Sequence, residues 1–265
     1  MDTLIKALTA RVLEVADQKS LQIKKISKGL RFTGTILEDG SCGMCFSVFN
    51  QESLDSHKYI KNVKSPKNLD IIKLLQFVEN LENNLERIIG ISVLNAVSQH
   101  ILKQEMKNYY VTFDTHPIEH IQFKMTDRVV MIGAIRSFLP KLHELVNNFV
   151  VIDNRFNDNN FPNVKNPETT KEQLHQADIV FITGSALANN TLESLLKEIK
   201  VAKEIAVVGP TAGFLPEPLF DRGVTILSSM QALQPDKVLQ IISENGGTPH
   251  FKKYCKKYNI IHQKF

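Results

Sequence analysis

Glycines and one carboxylate stand at the ends of four apolar runs in the second half of the chain. The runs VVMIG, FVVID, DIVFITG and IAVVGP place Gly133, Asp153, Gly184 and Gly209 there. Apolar, β-branched runs separated by helical stretches are typical of parallel strands that are covered on both faces. Because ligands bind beside the carboxyl ends of such strands, we expect the four residues to lie along one ligand-binding edge of a sheet.

The segment GSALANNTLE joins the third run to a predicted helix through amide and hydroxyl side chains. Asn190 is a suitable N-cap, and Glu193 at the third helical position would complete a capping box. This structural role leaves Ser185 and Asn189 to face the ligand edge, where the free N–H groups of a helix start favour an anion. We therefore predict that Gly184 and Asn189 contact a ligand.

The loop GPTAGFLP after the fourth run contains two glycines and two prolines, which fix a rigid path. It can present backbone N–H groups and the Thr211 hydroxyl to a ligand, or it can be a tight crossover turn. Both interpretations remain open for Gly209, Pro210 and Thr211.

The first run is followed by GAIRSF, which lacks the dinucleotide-binding fingerprint. Ile135 occupies the place of the second glycine, where the backbone must approach a pyrophosphate. A tightly held NAD is therefore disfavoured. Asp153 either contacts a ribose-like group or is a solvated strand end beside Arg155.

Two clusters contain residue types that bind metal ions. Cys42 and Cys45 form a C-x-x-C pair, but they lie in a predicted strand, where side chains three apart point to opposite faces. We interpret both as buried structural cysteines. Asp114, His116, Glu119 and His120 form the second cluster, and Pro117 indicates that it lies in a solvated linker rather than on one helical face.

The basic tail FKKYCKKY interleaves lysines with aromatic residues, as some nucleic-acid-binding proteins do. The same spacing fits an amphipathic terminal helix with Phe251, Tyr254, Cys255 and Tyr258 packed inward, which is the interpretation we prefer. The net charge of +4 does not imply a nucleic-acid partner.

The composition indicates a globular protein of 265 residues with 43% hydrophobic residues, enough for two modest domains. No apolar run reaches the roughly 18 residues of a membrane span, and the charged first residues do not resemble a secretory signal. Three cysteines favour a reducing compartment, so we expect a cytoplasmic location.

The elements fall into an α+β part and an alternating part. The first contains an amphipathic helix, three strands and two helices, predicted as the opening helix, Leu21–Ile26, Leu30–Leu37, Cys42–Phe49, Leu69–Asn83 and Leu85–Lys103. Residues 104–127 are the predicted linker. From residue 128 strands alternate with helices, as in a doubly wound sheet. The Asn-rich loop 154–167 begins at the ligand-binding edge of the sheet and is a candidate to cover a bound ligand.

Several motifs resemble the family named "putative heavy-metal chelation". They are NTLE after a strand that ends in glycine, GPT after the next strand, LPEPLFDRGVT, and IGISVLNA in the first half. The resemblance spans nearly the whole chain. It implies an enolase-N-terminal-like first domain, a Rossmann-like second domain and, by the family's name, a divalent or heavy metal ion as cofactor. The resemblance implies as site residues those that match the family's motifs, which are Asn95, Asn189, Thr191, Gly209, Pro210 and Thr211. This chain has Asn190 where glycine is common, and Thr211-Ala212-Gly213 where Ser-Thr-Pro is common.

The sequence therefore predicts an α/β protein with an α+β domain over residues 1–110 and a Rossmann-like doubly wound domain over 120–265. We expect the cleft between them to bind a metal ion, a metal chelate or a small polar ligand. An enzyme acting on a nucleotide-like or anionic metabolite is one alternative, and an interaction module using the basic tail is another. A homo-oligomer is compatible with the sequence, whereas a membrane is not an expected partner.

Overall fold

The structure, a computed structural model, describes residues 2–47, 70–153, 163–165 and 167–263. The end of the predicted strand Cys42–Phe49, Arg155 and most of the predicted loop 154–167 lie outside these ranges. The described helices are α1 Leu4–Gln18, α2 Ile71–Gln76, α3 Asn84–Glu105, α4 Leu139–Leu145, α5 Thr170–His175, α6 Ser185–Ala188, α7 Leu192–Glu198, α8 Glu217–Phe220, α9 Pro235–Ser243 and α10 Thr248–Phe251.

The strands form two sheets. β1 Ile23–Lys28, β2 Phe32–Leu37 and β3 Cys42–Phe46 form a small antiparallel sheet. The larger sheet has eight described strands, which are β4 Tyr110–Phe113, β5 Arg128–Ile132, β6 Asn148–Ile152, β7 Val164–Lys165, β8 Ile179–Thr183, β9 Glu204–Val208, β10 Ile226–Ala232 and β11 Cys255–Ile261.

The small sheet confirms the predicted meander. The turn between β2 and β3 contains Gly40 at φ +83°, and the Asp39 carboxylate accepts a hydrogen bond from the main-chain N–H of Ser41 at 3.0 Å. Asp-Gly favours such a turn because glycine adopts positive φ without a steric penalty. The hairpin therefore aligns β3 for packing against α3.

Helix α3 is the central helix of the first half, and most of its residues are buried on every side. Gly43 on β3 lies directly against it, because a Cβ built at Gly43 would stand 2.1 Å from the main-chain nitrogen of Ala96. A glycine is required there for the strand and the helix to approach so closely. The opposite face of the small sheet packs on α9, where Leu239 and Ile242 lie over Gly34.

The large sheet has the strand order β4-β11-β10-β9-β8-β5-β6-β7. The six strands from β10 to β7 are parallel, and the order reverses direction between β5 and β8. Such a reversal leaves a crevice beside the carboxyl ends of the two central strands. The chain thus has the predicted α/β class, with a small antiparallel sheet followed by a doubly wound, mostly parallel one.

Two predicted elements are wrong. The basic tail is not one helix, because Phe251 ends α10, a 3₁₀ turn follows over Lys252–Tyr254, and strand β11 begins at Cys255. Strand β11 pairs with both β10 and β4 and so satisfies its backbone on two sides. The predicted linker over residues 104–127 contains β4, an edge strand of the same sheet, and the 3₁₀ turn Pro117–His120. Residues within this segment therefore belong to the folded body.

The core joins the two sheets into one body. A single hydrophobic cluster contains Leu37 and Cys45 of the small sheet together with Val130 and Ile182 of the large one. Helix α2 is shorter than predicted, since a 3₁₀ turn follows Gln76. Among the described residues, no helix is long and apolar enough to cross a bilayer.

Candidate functional site

A cavity of about 480 Å³ lies beside the carboxyl ends of β5, β8, β9 and β10. Phe32 and Phe46 of the small sheet form part of its wall, so both sheets contribute to it. Four of the predicted site residues line it, namely Gly184, Gly209, Pro210 and Thr211. A volume of this size fits a small-molecule site, for which roughly 300–1,000 Å³ is usual.

Two glycines at the strand ends permit close approaches that form this edge. A Cβ at Gly133, which has φ +83°, would stand 2.5 Å from Cγ2 of Thr183. A Cβ at Gly184 would stand 2.6 Å from the main-chain nitrogen of Ala212. The loops after β5, β8 and β9 can therefore meet only because these positions lack side chains.

Thr211 connects the two sheets. Its hydroxyl oxygen accepts a hydrogen bond from the main-chain N–H of Phe46 at 2.9 Å, and its carbonyl oxygen accepts one from the Asn95 side-chain amide at 2.9 Å. The same amide nitrogen also donates to the carbonyl oxygen of Met44 at 2.8 Å. Asn95 thus lies behind the cavity wall, bound to Thr211, rather than in the lining.

A buried polar row continues along α3 from Asn95. The Gln99 amide nitrogen donates to the carbonyl oxygen of Gly213 at 2.8 Å and to the Tyr258 hydroxyl at 2.9 Å. Burial raises the pKa of Tyr258 to about 12, so this phenol stays protonated at neutral pH. Oδ1 of Asn95 and Oε1 of Gln99 have no hydrogen-bond partner among the described residues.

Asp153 directly follows β6 and is buried. One carboxylate oxygen accepts a hydrogen bond from the main-chain N–H of Ala134 at 2.8 Å. This bond holds the loop that follows Gly133, and Ala134 itself lines the cavity. Asp153 therefore supports the cavity wall from behind.

Asn189 and Thr191 are exposed and lie outside the cavity lining. The predicted capping box is wrong, because α7 begins at Leu192 and the residue before it makes no side-chain cap. Asn190 instead has φ +58° and accepts a hydrogen bond from Arg87 at 3.3 Å. The Glu193 carboxylate is also used elsewhere, since it accepts from the main-chain N–H of Leu4 at 3.1 Å.

Cations that the sequence did not single out as site residues line the cavity. They are Arg31 in the β1–β2 turn, Arg136 after β5, Lys252 after α10 and Lys257 on β11. Hydroxyl groups accompany them, from Ser137, Thr183, Ser185, Ser228, Ser229 and Thr248. Ser185 was predicted to face this edge, and the Ser-Ser pair within β10 was a further local signal, because polar residues there interrupt an apolar strand.

His116 also lines the cavity, with its ring against Phe138 at a centroid distance of 4.3 Å. Burial, together with the positive charges of Lys141 and Lys257, lowers the pKa of His116 to about 4. Its Nδ1 accepts from the main-chain N–H of Ile118 at 3.4 Å, so in the neutral ring the proton is on Nε2. His120 lies apart, bound through Nε2 to the hydroxyls of Thr112 and Thr115, each at 2.9 Å.

The cysteines are unpaired, and Cys42 and Cys45 are buried. Their side chains belong to different hydrophobic clusters on the two faces of β3, so they cannot share one ion. Burial raises the pKa of both thiols, which disfavours the thiolate that a metal needs. Among the described residues, no group of three His, Cys, Asp or Glu side chains is placed to hold a metal ion.

The fold and the cavity define a class of two-sheet α/β proteins with a cavity at the strand ends of the larger sheet. The chain belongs to a family described as "Putative heavy-metal chelation". The profile of one of its domains, DUF364, matches residues 116–261, and that of DUF4213, which carries the same description, matches residues 11–98.

Similar proteins have no stated function. The chain is 25% identical to an uncharacterized protein of Methanocaldococcus jannaschii, with 97% of each chain aligned. A DUF364-family structure from Pyrococcus horikoshii matches with a TM-score of 0.80 and 23% identity, over 98% of this chain and all of that one. A DUF364-family structure from Desulfitobacterium hafniense DCB-2 matches with a TM-score of 0.76 and 14% identity, over 97% of this chain and 98% of that one. These structures support the fold.

Proposed function

We propose that the protein binds a small polar ligand, including a metal in chelated form, in the cavity between the small sheet and the strand ends of the large sheet. The observation that carries this proposal is the position of the cavity at the reversal of strand order. The order of the parallel strands is the one that Rossmann-like dinucleotide-binding sheets use, with the crevice between β5 and β8. This order supports the Rossmann-like assignment of the second half.

The chemistry of the lining supports a chelate over a bare metal ion. The described residues offer no three-ligand set of His, Cys, Asp or Glu, and those that line the cavity include no carboxylate. Hydroxyl and guanidinium groups are suited to the oxygen atoms of an organic ligand. A metal would therefore reach this cavity already held by that ligand, which agrees with the family's description.

The test uses a variant that fills the cavity. Ser137 is exposed at the mouth of the cavity, so Ser137→Trp adds bulk there without disturbing the core. Ser194→Trp on the exposed face of α7 is the matched control. Each protein is equilibrated with a small-molecule cell extract and washed by ultrafiltration, and the retained compounds are identified by mass spectrometry.

We expect the parent and Ser194→Trp to retain the same compound, and Ser137→Trp to lose it. If Ser137→Trp retains every compound that the parent protein retains, or if the parent retains none, the cavity is not a ligand site and the proposal is overturned. Elemental analysis of the same retained fractions shows whether a metal accompanies the compound.

A further inference from the structure

We infer that the ligand of this cavity is a small polyanion, with at least two phosphate or carboxylate groups beside an apolar body. This inference rests on the proposed function, because it names the chemical class of the ligand of the same cavity. It follows from the charges, the positions and the partners of the lining residues.

The charges in the lining have one sign. Arg31, Arg136, Lys252 and Lys257 line the cavity, and no aspartate or glutamate is found among the described lining residues. Within the described part of the chain, the side chains of Arg31, Lys252 and Lys257 make no ion pair with a carboxylate. Like charges gathered around one cavity repel one another, and a bound anion relieves that repulsion.

The cations come from distant parts of the chain, which makes their convergence a property of the fold. Arg31 lies in the turn of the small sheet, whereas Lys252 and Lys257 belong to the last segment of the large one. The side-chain methylene groups of Arg31 pack against Gly247, since a Cβ built at Gly247 would stand 3.4 Å from Cδ of Arg31. A cation from the small sheet thus reaches the part of the wall formed by the connection between α9 and α10.

Nearby acidic groups are occupied elsewhere. One carboxylate oxygen of Asp114 accepts from the main-chain N–H of Lys257 at 3.2 Å, and Asp114 does not line the cavity. The carboxylate of Asp153 holds the Ala134 loop from behind. The Glu119 carboxylate pairs with Lys141 at 2.8 Å. None of these three makes an ion pair with Arg31, Lys252 or Lys257.

The remaining lining gives the ligand its second property. Phe32, Phe46, Ile135, Phe138 and Met230 contribute apolar surface. The rings of Phe32 and Phe46 meet edge to face with centroids 5.4 Å apart. Charged groups at the mouth and apolar side chains at the wall together fit an anionic molecule with a hydrocarbon or aromatic body.

The test measures anion binding by isothermal titration calorimetry at low salt. The probes are pyrophosphate, citrate, nickel citrate and nickel chloride, so that a free anion, an anionic chelate and a bare metal are compared. The test variant is Arg31→Gln/Lys252→Gln/Lys257→Gln. The matched control is Lys73→Gln/Lys107→Gln/Lys237→Gln, which removes the same net charge from exposed positions outside the lining.

We expect the parent and the control to bind pyrophosphate or a citrate species, and the test variant to bind it about tenfold more weakly or worse. Nickel chloride should not bind in the cavity. If the parent binds none of the anions, or if the control loses binding as the test variant does, the inference is overturned. The extract experiment separates the two proposals. If the parent protein retains a neutral or cationic compound that Ser137→Trp does not retain, the proposed function stands and the inference of a polyanion is wrong.

Discussion

The Thr211 hydroxyl oxygen and the main-chain N–H of Phe46 form a hydrogen bond of 2.9 Å between the two sheets. Thr211 follows β9 of the large sheet, and Phe46 ends β3 of the small one. Since Thr211 is 2% exposed, water cannot replace this bond. The residue that the sequence predicts as a ligand contact therefore also holds the cavity wall together.

Thr211→Val should destabilise the protein, because it keeps the shape of the side chain and removes the hydroxyl oxygen that accepts the hydrogen bond from the Phe46 N–H. We expect the free energy of unfolding to fall by about 1–3 kcal/mol. Urea denaturation measures this fall. Thr248→Val, at a half-buried position on the same cavity, is the control and should change stability little. Equal stability of the two variants would show that the bond between the sheets contributes nothing.

Arg87→Met should be more damaging. The buried guanidinium of Arg87 donates to the carbonyl oxygens of Leu187 and Ala188 at 2.9 and 3.1 Å, and also to Val78. Methionine would leave these acceptors unpaired, so we expect a loss of about 3 kcal/mol. The exposed Arg11, which pairs with Glu105, is the control, and Arg11→Met should cost about 0–1 kcal/mol. A similar melting temperature for both variants would contradict the prediction.

His116 should make stability depend on pH. Its folded-state pKa of about 4 lies below the usual histidine pKa of about 6.5, so between these values the unfolded chain binds a proton that the folded protein does not. The free energy of unfolding should therefore decrease as the pH falls from about 6.5 to about 4. His116→Gln should flatten this dependence in urea titrations from neutral to acidic pH. If the free energy of unfolding of His116→Gln depends on pH as steeply as that of the parent protein, the prediction is wrong.

The cysteines should react with iodoacetamide in a fixed order. Cys255 is partly exposed, whereas Cys42 and Cys45 are 4% and 0% exposed. Burial raises the pKa of Cys255 to about 12, so it should react slowly, and the other two should react only after unfolding. Mass spectrometry of native and urea-treated protein measures the order. Rapid labelling of Cys42 in the native protein would contradict its burial.

The strand ends were predictable because their signals are local. Apolar runs that end at Gly133, Gly184 and Gly209 identify parallel strands. Gly133 and Gly184 also mark close approaches between neighbouring segments, whereas Gly209 has φ +123° and no atom near its missing side chain. The tail was not predictable in the same way. Its lysines and aromatics fit a helix as well as a strand, and only the partners β10 and β4 decide between them.

The cationic lining was hidden for a different reason. Arg31 carries no spacing that distinguishes it from an ordinary surface residue, and Lys257, although it belongs to the basic tail, is separated from Arg31 by most of the chain. The use of the Thr211 hydroxyl was hidden as well, because its partner Phe46 lies 165 residues away. Long-range pairing determines which polar groups stay available to a ligand, and single-sequence patterns do not contain it. The domain boundaries and the enolase-like first domain remain predictions.

The position of β11 between β10 and β4 has a consequence for synthesis of the protein. In the described sheet, β4 pairs with β11 alone, so residues 110–113 reach their place only after residues 255–261 have left the ribosome. The face of the small sheet that packs on α9 is likewise covered only after α9 has been synthesised. The amino-terminal half must therefore remain incompletely assembled while the rest is translated, which makes folding slow and exposes apolar surface to chaperones.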